Sequence, residues 1–206
     1  MLNASATPVK PLLLSMLMLA YGAVALPAAT LERLSLDDLI TQSTAIVRGK
    51  VLNSYTATSG PVIYTHYRIQ ASETLKGSAR GVVDIQLPGG VANNLRQSFA
   101  GVPQFRPGDE YVFFLWTGKT GTTQVLGLTQ GLFSVAPGSA ADPLTTRGAS
   151  HEVMLERGTG KQVKDQTLTM RLSELRARIG STLSGVPLSG SPLSGSPLSG
   201  SQGTVK

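Results

Sequence analysis

Between Val62 and Leu75 the chain alternates with a period of two, which sets Ile63, Thr65, Tyr67, Ile69 and Ala71 against Tyr64, His66, Arg68 and Gln70. Successive side chains of a strand point to opposite faces, so this segment has one core side and one wet side. The pattern fixes the fold class, because similar short runs recur down the chain with Gly and Pro between them. Strands are expected at Ala45 to Tyr55, Val62 to Leu75, Gly81 to Leu87, Glu110 to Trp116, Thr123 to Leu128 and Leu132 to Val135. Turn chemistry separates them at Ser59-Gly60-Pro61, Lys76-Gly77-Ser78, Pro88-Gly89-Gly90, Pro107-Gly108-Asp109 and Gly118 to Gly121. Val112 to Trp116 is apolar without alternation and is expected to be a central strand, buried on both faces. A mainly β domain of short strands favours a small barrel, closed or partly open, since closure removes exposed edges.

Two helices are expected to flank the sheet. Ser35 is the N-cap of the first, with Asp37 and Asp38 in its opening turn and Leu36, Leu39 and Ile40 on one face. Leu168, Leu172, Leu175 and Ile179 recur at helical spacing, with Thr169 as a possible cap and Gly180 as the stop. This helix packs one apolar stripe on the barrel. The stretch Val91 to Phe105 has no clear period and reads as a long surface connection, the kind of segment that carries binding function. Asn93, Asn94, Arg96, Gln104 and Phe105 are its candidate binding residues.

The ends of the chain read differently. Lys10, the apolar runs Pro11 to Leu19 and Tyr21 to Val24, and the small-x-small triplet Ala23-Val24-Ala25 form the pattern of an export signal. The apolar stretch is shorter than the ~20 residues that span a bilayer and carries Gly22 and Pro27, so no stable membrane anchor is expected. This divides the chain into a signal at 1–25, one domain at 26–180 and a tail at 181–206, and places the mature protein in a secreted or periplasmic compartment. The tail repeats Pro-Leu-Ser-Gly-Ser from Pro187, Pro192 and Pro197, too poor in apolar surface to fold. Cysteine is absent, which removes disulfides, a thiol nucleophile, thiolate metal ligands and a lipid-anchor cysteine. Stability must then come from apolar burial.

The net charge of +6 is spread singly along the chain, with a cluster only at Arg171, Arg176 and Arg178 and no interleaved aromatics. It implies solubility and loose attraction to anionic surfaces, with no nucleic-acid partner. Gly118-Lys119-Thr120 is the end of a phosphate-loop pattern, but Phe113 stands where the earlier glycine belongs, so it is a hairpin turn. His66 and His151 are the only imidazoles; His66 faces solvent on a strand, and His151 sits beside Ser150 and Glu152. No metal-ligand spacing and no cofactor motif is found, so neither is expected. Asp109, beside Glu110, is placed in its turn to accept backbone N–H groups. Tyr55, Tyr64 and Tyr67 are candidates for a face that binds a sugar or peptide, though Tyr64 and Tyr67 have opposite parity on one strand.

The segments Ala45-Ile46-Val47-Arg48-Gly49-Lys50-Val51, Ile63-Tyr64-Thr65, Glu73-Thr74-Leu75-Lys76-Gly77, Val83-Asp84-Ile85 and Gly108 to Leu115 together resemble the strand series of netrin-like modules. That family includes the N-terminal domains of tissue inhibitors of metalloproteinases, and the same series is similar to uncharacterised exported bacterial domains. The resemblance covers about Ser35 to Val135 and implies an OB-type barrel with flanking helices. The inhibitors place an N-terminal cysteine on the protease zinc, and this chain has none, so no inhibitory residue carries over. The leading expectation is a non-catalytic exported module that binds a protein or glycan through the Val91 to Phe105 loop and a barrel face. The alternatives are a peptidase-associated or inhibitor-like module and a hydrolase using His151 with Ser150 or a distant serine.

Overall fold

The computed structural model describes residues 30–138 and 141–186. The export signal at 1–25 and the Pro-Leu-Ser-Gly-Ser repeats lie outside these residues. The fold is mainly β. Its spine is a ribbon of two long antiparallel strands, β2 (Ala45–Ser59) and β3 (Val62–Lys76), joined at the expected Gly60 turn. Strand β4 (Val82–Pro88) pairs with β3, and β7 (Glu110–Thr117) pairs with β2. Two short strands follow β7: β8 (Thr123–Val125), which turns back on it, and β9 (Leu132–Val135), which extends the sheet on the side of β7 away from β2.

The alternation is realised as read: Ile63, Tyr67 and Ile69 are buried, while Arg68 and Gln70 are exposed. Val112 to Leu115 are fully buried, as a two-faced central strand requires. Val112 and Phe114 join Ile46, Phe133, Leu39, Ile40 and other residues under the helices, whereas Phe113 and Leu115 join Val47, Tyr67, Ile69 and Ile85 on the opposite face. Trp116, expected within the buried run, is 46% exposed because the strand has reached the rim of the sheet.

Four strands were not foreseen beyond β9. The chain leaves it for β10 (Leu144–Arg147), makes a small separate sheet from β11 (Val153–Leu155) and β12 (Gln162–Val163), and returns as β13 (Leu168–Arg171). The small sheet also takes in β1 (Thr30–Glu32), parallel to β11. The main sheet runs β13-β10-β9-β7-β2-β3-β4.

The expected closure into a barrel is not made among the described residues. Strand β8 returns beside β4, but no ladder joins them, because β8 is three residues long and is committed to β7. A single 3₁₀ turn at Leu128–Gly131 then carries the chain away. Phe105, from the long connection before β7, packs edge-on against Tyr67, Tyr111 and Phe113 at centroid distances of 4.9, 5.3 and 5.7 Å.

Helix α1 (Leu36–Gln42) follows the sequence closely: Ser35 and Asp38 form a reciprocal capping box, and Leu39 and Ile40 are fully buried. Helix α2 (Leu172–Ser184) differs from expectation at both ends. Leu168 to Arg171 form β13 against β10, so Thr169 is no cap; the cap comes instead from Asp142, which accepts Ser173 N–H at 2.8 Å and Ser173 Oγ–H at 2.7 Å. Gly180 lies inside the helix, which runs on through Ser184, and Gly185 at φ 69° ends it in the left-handed conformation. Leu172, Leu175 and Ile179 make the buried stripe.

Candidate functional site

The stretch Val91 to Phe105, read as an irregular connection, begins as a hairpin of β5 (Gly90–Ala92) and β6 (Leu95–Gln97). Its two-residue turn is Asn93-Asn94, at φ 50° and 59°. Positive φ at both central residues is what the tight hairpin turn needs, and asparagine is among the few residues that tolerate it. The hairpin was not foreseen, because the three-residue strands beside the turn were too short to show a period.

The hairpin is fastened to the β2–β3 ribbon by neutral groups. Gln97 accepts Ile63 N–H at 2.7 Å through Oε1 and donates to the Pro61 carbonyl at 2.8 Å through Nε2. Thr56 and Thr65 hydroxyls donate to the carbonyls of Val91 and Gly89, each at 2.8 Å. Gly90, at φ 136°, lets the two surfaces meet: a Cβ there would stand 2.6 Å from Thr65 Oγ1 and 2.9 Å from Thr56 Cγ2. With the seat so fixed, Val91, Leu95 and Phe99 remain 50%, 64% and 46% exposed, and Arg96, paired across the hairpin with Val91, is exposed as well.

The segment Val102 to Gln104 stands as a wall between two clefts. The first, of about 260 Å³, lies under the hairpin and is lined by Tyr67, Val91, Arg96, Phe99 and Gln104 among others. The second, of about 490 Å³, lies between the wall and the loop at 148–152, over Tyr111, Leu132 and Ser134. Of the five candidate binding residues, Asn93 and Asn94 form the hairpin tip, Arg96 flanks the first cleft, and Gln104 faces both. Phe105 lines the second cleft only as part of its floor, since it is 7% exposed and belongs to the core.

The loop bearing His151 is held by a buried ion pair. Arg147 and Asp165, with side chains 2% and 1% exposed, meet at 2.9 Å, and Asp165 also accepts Ser150 N–H at 2.8 Å. Burial pulls the Arg147 guanidinium below its ordinary pKa, opposed by the Asp165 charge. Arg147 donates further to the Gln166 carbonyl at 3.3 Å, and its Nε has no partner among the described residues. Nothing in the residue pattern marks this pair, because an Arg and an Asp eighteen positions apart look like any two surface charges.

The other sequence-selected residues are engaged locally. Asp109 accepts Arg106 N–H at 2.8 Å within its turn, as expected. His66 Nδ1 lies 2.8 Å from Asp84, and its ring stacks on Tyr55 at 4.7 Å, with the Tyr55 hydroxyl donating to Asp84 at 3.3 Å. Tyr67 is in the core, so the expected tyrosine face is reduced to Tyr55 and Tyr64. Among the described residues no hydrogen bond joins the His151 ring to Ser150 or to a carboxylate, and Ser150 Oγ accepts Glu152 N–H at 3.1 Å. The basic cluster is consumed by intramolecular contacts: Arg171 donates to the Asp142 carbonyl, Arg176 pairs with Glu73 and Arg178 with Asp37. No group of His, Asp and Glu able to hold a metal ion occurs among the described residues, and no helix there is long and apolar enough to cross a membrane.

Comparison with protein-family models, curated proteins and solved structures finds no match to this chain.

Proposed function

We propose that the chain is an exported, non-catalytic β module that binds a protein or glycan partner through the Val91 to Phe105 segment. The observation that carries this reading is the hairpin: backbone and side-chain hydrogen bonds lock it to the sheet, while Val91, Leu95 and Phe99 stay in water. Exposed apolar side chains on a fixed frame, rimmed by polar groups, mark a recognition surface. Their chemistry around Arg96 favours a protein with an apolar patch bordered by a carboxylate. Export rests on the pattern of residues 1–25, and the non-catalytic reading on the lack of a side-chain partner for the His151 ring. The sheet is a partly open relative of the OB-type, netrin-like barrel; the order of β2, β3, β4 and β7, the return of β8 beside β4 and the packing of both helices on one face support this.

A photo-reactive amino acid placed at Leu95 of the full chain, in the native extracytoplasmic fraction, tests the reading. One cross-linked species is expected, absent when the probe sits instead at Lys119 in the β7–β8 turn and lost in the Arg96→Glu variant. Identical cross-linking from both positions would overturn it. Mass spectrometry of the same fraction should find a mature N-terminus just after Ala25.

A further inference from the structure

The second cleft lies on the other side of the Val102–Gln104 wall from the hairpin and is chemically unlike it. Its floor is Phe105 and Leu132, 7% and 8% exposed. Around that floor stand Gln104, Tyr111, His151 and Glu152, whose side-chain polar groups find no hydrogen-bond or ion-pair partner among the described residues. Gln104 and His151 are exposed and Tyr111 and Glu152 half-buried, so these polar ends are open to solvent, and polar groups converging over an apolar floor are the usual make-up of a ligand pocket. The volume, about 490 Å³, is in the range of such pockets.

The lining also narrows the ligand. No Lys or Arg faces the cleft, so nothing there would compensate a phosphate, sulfate or carboxylate. The planar ends of Glu152 and Gln104 suit adjacent hydroxyl groups, which both donate and accept, and the Tyr111 hydroxyl and His151 ring add single donor or acceptor positions. The rims are fixed in advance. Glu152 rests against Gly101, where a Cβ would come within 3.1 Å of Glu152 Cγ, and the buried Arg147–Asp165 pair holds Ser150 from behind. Preorganisation of this kind lowers the entropic cost of binding a small polar ligand.

We infer that this cleft binds a neutral saccharide unit through Gln104, Tyr111, His151 and Glu152, over the apolar floor of Phe105 and Leu132. The inference is independent of the hairpin's partner, since the two faces share only the wall between them.

The test is amide chemical-shift mapping on the full chain, titrated with maltotetraose, cellotetraose or chitotetraose to about 10 mM, enough to occupy a site of millimolar Kd. A heparin-derived tetrasaccharide and an arginine-containing peptide are the charged comparisons. At least one neutral oligosaccharide should move the amides of Gln104 and of residues 150–153 while leaving Leu95 and Arg96 in place. Glu152→Gln should weaken that binding about tenfold, the scale of one hydrogen bond to a charged group, with an unchanged melting temperature. His151→Ala, at an exposed position, is a second variant that does not depend on the first. No shifts with any neutral sugar, shifts confined to the hairpin, a response to the peptide alone, or full affinity in both variants would each overturn the inference. Loss of the Leu95 cross-link would leave it standing.

Discussion

The two arms that flank the Val102–Gln104 wall are secured by opposite physics. The hairpin arm is seated by amides, hydroxyls and a glycine contact, all of them uncharged. The 148–166 arm is seated by Arg147 and Asp165, a fully buried ion pair. A neutral seat contributes modestly and tolerates changes of pH and salt. An ion pair in a dry interior is costly to form, adds little net stability over an apolar substitute, and becomes severe to break when one partner is lost. The molecule thus keeps a forgiving anchor under its exposed apolar hairpin and an unforgiving one under its polar cleft.

The largest expected effect follows from that contrast. Arg147→Met leaves the Asp165 carboxylate buried and unpaired and should cost about 3–5 kcal/mol in chemical denaturation, whereas the double variant Arg147→Met/Asp165→Leu should recover most of the loss. Equal destabilisation by single and double variants would remove the distinction between the arms. Next in size, Gly90→Ala forces a side chain into Thr65 and Thr56 at a positive φ, and overpacking of this kind should cost about 1–3 kcal/mol. Its signature is local: hydrogen exchange should quicken at the hairpin amides and not at residues 150–165.

Gly180→Ala lies outside both arms and is a control. Gly180 is inside α2, and a Cβ there meets nothing within 4 Å, so the substitution should stabilise the fold by up to about 1 kcal/mol. Smaller still is the effect of acid on the helices. Hydrogen bonds from Ser35 and Ser173 hold the Asp38 and Asp142 carboxyls below the ordinary carboxylate range. A depressed folded pKa contributes stability that is complete above the unfolded value of about 4 and fades as the pH falls below it. Helical circular dichroism should therefore weaken below about pH 4, with a shallower response in Asp142→Asn, while hairpin protection stays unchanged over the same interval.

What was legible in the sequence follows from the length over which each signal persists. β2, β3, β4 and β7 announced themselves because seven or more residues keep a consistent relation to two faces. The strands β10 to β13 are two to four residues long and take their meaning from partners elsewhere in the chain. Leu168 and Leu172 are four apart, which fits a helix, yet the first belongs to a strand and the second opens the helix behind it. Phe105 illustrates the same limit: its loop position marked it for binding, and only its contacts with Tyr67, Tyr111 and Phe113 across the fold show that it belongs to the core. Gln104 lies in the segment that the sequence singled out, but the second cleft beside it was not readable, because the loop at 148–152 is brought across by a buried pair that sequence spacing does not reveal.

The central claim is that the segment after β4 is a seated platform and not a loose loop. Amide hydrogen exchange of the wild-type chain at neutral pH tests it most directly. The seated hairpin predicts that the Ile63 amide, bonded to Gln97, and the cross-strand amides of Gly90 to Gln97 are protected well above the level of the Gly118–Gly121 turn. Exchange of these amides at the rate of an unfolded chain would contradict the account.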